Sequence, residues 1–116
     1  MSTKYSFFVH MQATKAWLSL SRDERSDYFS NTIGTILARY PSVVLRLYDA
    51  EAFSAKCSDI AVFETDIIQD YSFLMDALRD SKVFTVPYFV VVDIFPAIEE
   101  GFIDYQSSLL LQQTSG

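Results

Sequence analysis

Four short runs dense in aromatic and β-branched residues, with helix-period segments between only some of them, restrict the possible folds of this chain more than any other feature. "YSFFVHMQ" (5–12), "SVVLRLYD" (42–49), "SDIAVFET" (58–65) and "YFVVVDIF" (88–95) read as strands. Between the first two, Ser21 stands three residues ahead of Glu24, the spacing of a capping box. Phe29, Ile33, Ile36, Leu37 and Tyr40 then recur at three- and four-residue intervals up to Pro41. A helix over 22–40 is predicted, with a short turn before it in "KAWLSL" anchored by Trp17. The second and third strands are joined by a loop too short for a crossover helix and should form an antiparallel hairpin. Asp66 with Gln69 marks a second cap. Tyr71, Leu74, Met75 and Leu78 give a second helical stripe that ends near Asp80 and Ser81, and Pro96 is expected to close the fourth strand.

The resulting order is β-α-β-β-α-β, an α+β ferredoxin-like arrangement. Right-handed crossovers place both helices on one face of a four-stranded antiparallel sheet, with the first strand between the third and fourth. Residues 1–100 form one domain with no repeat or linker. In the tail, 101–116, Phe102, Tyr105 and Leu109 have helical spacing and Leu109 to Leu111 form an apolar run, so the tail is expected to pack on the domain or on a partner subunit. The other sheet face is bare, as in dimeric α/β barrels, and a homodimer is expected to cover it.

Alternation decides what that face carries. In the first strand Tyr5, Phe7, Val9 and Met11 point toward the helices, leaving Ser6, Phe8, His10 and Gln12 outside. In the second, Val43, Leu45 and Leu47 point inward and Val44, Arg46 and Tyr48 outward. In the fourth, strict alternation sends Val90, Val92 and Ile94 inward and Phe89, Val91, Asp93 and Phe95 outward. The third strand is ambiguous, and Glu64 joins the open face if Phe63 joins the core. A carboxylate inside so apolar a run as "TVPYFVVVDIFP" needs a partner, water or a use. The candidate constellation therefore has His10 as general acid or base, Asp93 to orient it and Tyr48 as hydrogen-bond donor. Arg46 would hold a carboxylate or enolate oxygen, with Glu64 beside it and Phe8 and Phe89 as aromatic ligand-binding walls. The same groups also compose an ordinary interface network, so two readings stand: a small-molecule pocket, enzymatic or not, and an interaction module whose open face is consumed by dimerisation.

Composition removes other classes. With 9 Lys+Arg against 15 Asp+Glu, a net charge of −6 disfavours nucleic acid and anionic membrane surfaces. The longest apolar runs fall well short of the roughly 20 residues that span a bilayer. The N-terminus has no secretory pattern and the single cysteine permits no internal disulfide, which points to the cytoplasm. Cys57 reads as a packing residue and "RDERSD" as a solvated helix face. One histidine and one cysteine supply no metal site, and three glycines supply no phosphate-cradling loop, so neither metal nor cofactor is expected.

The stretches "ATKAWLSLSRDER", "ARYPSVVLRLYDAEAFSAKCSDIAVFETD", "YSFLMDALRDSKVF" and "VPYFVVVDIFPAIEEGF" resemble the darcynin family of small, mostly bacterial proteins over roughly residues 4–102. That resemblance implies no reaction and no catalytic residues, because the family has no established activity. The architecture also resembles dimeric α/β barrels, which include cofactor-free monooxygenases, lactone isomerases and haem-handling enzymes. By analogy, a cofactor-free oxygenase or isomerase would be the enzymatic form of the pocket reading.

Overall fold

The computed structural model describes residues 3–115, with side chains described through Gln112, so Met1, Ser2 and Gly116 lie outside it. Four strands, β1 (Tyr5–Ala13), β2 (Val44–Asp49), β3 (Asp59–Thr65) and β4 (Phe89–Ile98), form one sheet in the order β2-β3-β1-β4 with every neighbour antiparallel. This is the ferredoxin-like topology that the alternation of strand and helix patterns predicts.

The first crossover starts with α1 (Lys15–Leu18), whose first turn is capped by the Thr14 side chain. It continues through α2 (Arg22–Tyr28), a π-helical turn (Phe29–Ile33) and α3 (Gly34–Ala38). The capping box is present: Glu24 N–H donates to Ser21 Oγ at 3.1 Å and Ser21 N–H to Glu24 Oε1 at 2.9 Å. Arg25 is not merely solvated. It donates to the carbonyls of Trp17 at 3.2 Å and Leu18 at 2.9 Å, satisfying the open end of α1. In the π turn the Gly34 N–H reaches Phe29 O, five residues back, where an α-helix reaches four.

The second crossover is α4 (Ile68–Asp80) and α5 (Lys82–Thr85). Here the cap differs from the Asp66–Gln69 expectation. The N-cap is Ile67 and makes no side-chain cap bond, while the Ile67 N–H donates to the buried Thr65 hydroxyl at 3.0 Å. That hydroxyl lies 2.8 Å from Ser42 Oγ, which donates to Asp70 Oδ2 at 2.7 Å, so a chain of hydroxyls ties the start of α4 to the strand before it.

The core lies between sheet and helices. Phe7, Val9, Ala61 and Phe63 meet Ile36, Leu74, Met75, Leu78 and Val83 there, and Cys57 is buried as expected. Tyr71 stacks on Phe7 with ring centroids 3.6 Å apart, and burial pushes its phenol pKa up against the opposing pull of Arg79.

β4 departs from the expectation twice. Val9 faces Ile94 and His10 faces Asp93, but Met11 faces Val91, so Val92 is an extra residue and the register shifts. Beyond this bulge the alternation reverses: Phe89 and Val91 pack against the core, and Val90 turns outward. The placement of Phe89 and Val91 on the open face, and of Val90 and Val92 inside, is thereby corrected. Nor does Pro96 close the strand, which runs on to Ile98 with Pro96 opposite Phe7. An edge strand tolerates the missing N–H because one side has no neighbour to receive it.

After Glu100, at φ 48°, α6 (Gly101–Ser115) extends the molecule to 63 × 32 × 20 Å. Phe102, Tyr105 and Leu110 are each more than 60% exposed on it. Among the described residues no helix is long and apolar enough to cross a membrane.

Leu74 is fully buried at the centre of this core, so Leu74→Ala should lower unfolding stability by about 2–5 kcal/mol in chemical denaturation. The backbone N–H of Ser21, and after it the Ser21 hydroxyl, hold the Glu24 carboxyl below its ordinary pKa. Its stabilising contribution is therefore complete above the ordinary carboxylate pKa and is lost as pH falls through the lowered one. Ser21→Ala keeps the amide and removes only the hydroxyl, so carboxyl NMR titration should show the Glu24 pKa rising part of the way and staying below its ordinary value.

Candidate functional site

The strand register sorts the open face into rows. Tyr48, Ile60, His10 and Asp93 form one, Arg46, Val62, Phe8 and Phe95 the next, and Val44, Glu64, Ser6 and Ala97 a third. Phe63 belongs to the core, which resolves the third strand and puts Glu64 outward. Of the residues singled out from the sequence, His10, Asp93, Tyr48, Arg46, Phe8 and Glu64 share this face; Phe89 alone lies beneath the helices.

Sharing a face does not bring them to one point. Adjacent strands lie about 4.8 Å apart, so Tyr48 on β2 and Asp93 on β4 are separated by about 14 Å of sheet, and Tyr48 and His10 by about 10 Å. The polar groups divide into two halves. On the β1–β4 half, His10 meets Phe95 edge-on with ring centroids 5.0 Å apart, while Asp93 Oδ1 accepts the backbone N–H of Ile94 at 2.8 Å. The carboxylate is thus engaged by its own strand, and no ion pair joins it to the imidazole among the described residues.

On the β2–β3 half, Arg46 Nη1 donates to Glu64 Oε1 at 3.3 Å. This pair borders an open recess of about 440 Å³ lined by Phe8, Arg46, Tyr48, Phe53, Ile60 and Glu64, among others. Phe53, in the β2–β3 loop, is 92% exposed at its rim. What such a recess can do is hold a flat apolar body against Phe8 and Ile60 while Arg46 and Tyr48 meet its polar end.

A second space was not foreseen from the sequence. Between sheet and helices a cavity of about 190 Å³ is lined by Met11, Trp17, Phe29, Leu47, Asp59 and Phe89, with core residues behind them. Trp17 stands 5.0 Å from Phe89 and 5.4 Å from Tyr88 between ring centroids, and Tyr28 closes the cluster 5.0 Å from Tyr88. Trp17 was the available signal, since a large aromatic in a short turn needs something to pack against. Among the described residues no group of three or more His, Cys, Asp or Glu side chains is placed to hold a metal ion.

Fold and faces define a class: a small α+β ferredoxin-like domain with one face of its sheet uncovered. The darcynin profile, described as a domain of unknown function, matches residues 2–109, and the chain belongs to that family. Darcynin 1 of Acinetobacter baumannii is 52% identical over 90 residues, which cover 78% of this chain and 100% of that protein. Among solved structures, a mutant chlorite dismutase from Candidatus Nitrospira defluvii aligns with a TM-score of 0.70 at 12% identity, over 86% of this chain and 41% of that one. A protein from Thermus thermophilus described as a novel heme-binding protein aligns at 0.61 with 10% identity, over 84% of this chain and 40% of that one. This chain therefore spans less than half the length of those structures, and at such identities the likeness is one of fold.

Because the Arg46 side chain is 58% exposed, a double-mutant cycle over Arg46→Ala and Glu64→Ala should return a coupling below about 1 kcal/mol in denaturation experiments.

Proposed function

We propose that the protein is a homodimeric small-molecule-binding domain whose open sheet faces meet across the two subunits, with a ligand held in the recess beside Arg46 and Tyr48. The observation that carries this reading is the central row of the face, where Phe8 is 37% and Phe95 51% exposed beside the exposed Val44, Val90 and Val92. An apolar surface of this kind is unfavourable in water, and a second copy of the same face is the partner always at hand. Phe102, Tyr105 and Leu110, exposed on α6, are further apolar groups for a partner to cover. The ligand we assign to the recess is a small organic acid, competing with Glu64 for Arg46 and accepting a hydrogen bond from Tyr48. A cofactor-free isomerase or oxygenase with His10 as base is the enzymatic form of this reading.

A second reading has its own support. Asp93 is bonded to the Ile94 N–H and His10 lies against Phe95, so the polar groups of the β1–β4 half already have neighbours, as in a face used wholly for association.

The heme-binding neighbour raises the question of a haem in this chain. A haem iron is held by His, Cys or Tyr, or by Met together with His. The sole histidine, His10, is on the opposite side of the sheet from the 190 Å³ cavity, no tyrosine among the described residues lines that cavity, Cys57 is buried and not part of its wall, and the sulfurs that line it belong to Met11 and Met75. These residues do not fit a haem, and we assign none.

Light scattering should give a solution mass near twice the 13.3 kDa of the chain, and Phe8→Asp or Phe95→Asp should yield monomers with an unchanged far-ultraviolet spectrum. A wild-type monomer at every concentration would overturn the reading. In a crystal structure of the dimer, a recess kept open beside Arg46 supports ligand binding, whereas one filled by partner side chains supports the interaction module.

A further inference from the structure

We propose that the cavity on the helix side is a binding site for a small organic ammonium ion, its apolar body packed against the aromatic wall and its nitrogen facing Asp59. This site lies on the other side of the sheet from the recess and does not depend on dimerisation. Two backbone irregularities shape it. The β4 bulge turns Phe89 inward, and the π turn carries Phe29 and Ile33 along its wall. Bulges and π turns are both common beside functional sites because they re-aim side chains that regular structure would point elsewhere.

The chemistry of the wall selects the ligand. Of its fifteen residues Asp59 is the one with an ionisable side chain, and the rest are aliphatic, aromatic or thioether groups. Asp59 Oδ2 accepts the Ser58 hydroxyl at 2.7 Å, and Ser58 Oγ in turn accepts the Ala13 N–H at 2.7 Å, so the donor that meets the carboxylate is neutral and is itself held by the backbone. No Lys or Arg forms an ion pair with it among the described residues. A half-buried carboxylate on an apolar wall with no cation beside it is costly, and a ligand that brings the cation relieves that cost. Trp17, Phe29 and Phe89 give the wall the aromatic surface against which the body of such a ligand packs. The net charge of −6 also favours a cation. Size sets the remaining limit. An engineered cavity of about 150 Å³ in another protein holds benzene, so about 190 Å³ suits a single ring with a short chain.

Trp17 is the only tryptophan and stands in the wall, so intrinsic fluorescence reports occupancy directly. Titrations with phenethylammonium, 3-phenylpropionate and propylbenzene vary charge at nearly constant shape. The ammonium should give a saturable change, with the other two binding at least about tenfold more weakly, the worth of a charge-assisted hydrogen bond. Asp59→Asn should weaken the ammonium by about the same factor and leave propylbenzene unchanged. The methyl resonances of Met11 and Met75 should shift on binding while the His10 ring resonances do not. Equal affinity for ammonium and hydrocarbon, no saturable change with any of the three, or shifts at His10 in place of the methionines would each overturn the assignment. Should Asp59→Asn fail to fold, the three-probe comparison on the wild-type protein decides alone.

Discussion

One unpaired residue in the edge strand governs how this sheet uses its two faces. Where β4 passes from Asp93 to Val91, Val92 has no partner on β1, and every side chain before it lies on the side opposite to that set by simple alternation. Without the bulge Phe89 would stand on the open face of the sheet, near the end of β1. With it, Phe89 lies against Trp17 at 5.0 Å and joins the aromatic group that fastens α1 to the end of the sheet. Asp93 and Phe95, beyond the bulge, keep the outward direction that alternation assigns to them. The same strand thus serves the core at one end and the open face along its middle.

The first crossover answers this arrangement. Its π turn sets Phe29 and Ile33 over the sheet near Phe89, and Arg25 ties α2 to the carbonyl end of α1. The two sides then differ in kind. Beneath the helices a partly open, almost wholly apolar space contains one carboxylate; on the open face the polar groups lie apart in two halves and the apolar ones run across the centre. A concave apolar space favours binding a small molecule, whereas a broad, half-polar surface favours association. The functional proposals follow that difference.

How much of this could be read in the sequence depends on contrast. Strand order, helix order and the facing of β1, β2 and the outer part of β4 are legible, because apolar and polar residues alternate there: Phe7 against Ser6, Leu45 against Arg46, Ile94 against Asp93. Val90, Val91 and Val92 are identical and offer none, so a one-residue slip among them leaves no trace in the pattern. The π turn is hidden for a similar reason, since Phe29 and Ile33 are four apart whether the helix is α or π. The Asp66–Gln69 spacing looked like a cap, but the amide of Ile67 is taken by the hydroxyl of Thr65. His10, Asp93, Arg46 and Tyr48 could be assigned to one face from alternation alone. Their distances across the strands, and the bond from Asp93 to its own neighbour's amide, depend on register and rotamer, which no spacing encodes.

The darcynin family comes without an established chemistry, so the account rests on where the bulge sends each side chain. Chemical denaturation of Phe89→Ala beside Val90→Ala measures this directly. With the bulge in place, Phe89→Ala costs about 2 kcal/mol or more and Val90→Ala stays within about 0.5 kcal/mol. The reverse order, with Val90 the costly position and Phe89 the tolerant one, would mean that β4 alternates without interruption and that the cavity and its aromatic wall do not exist as described.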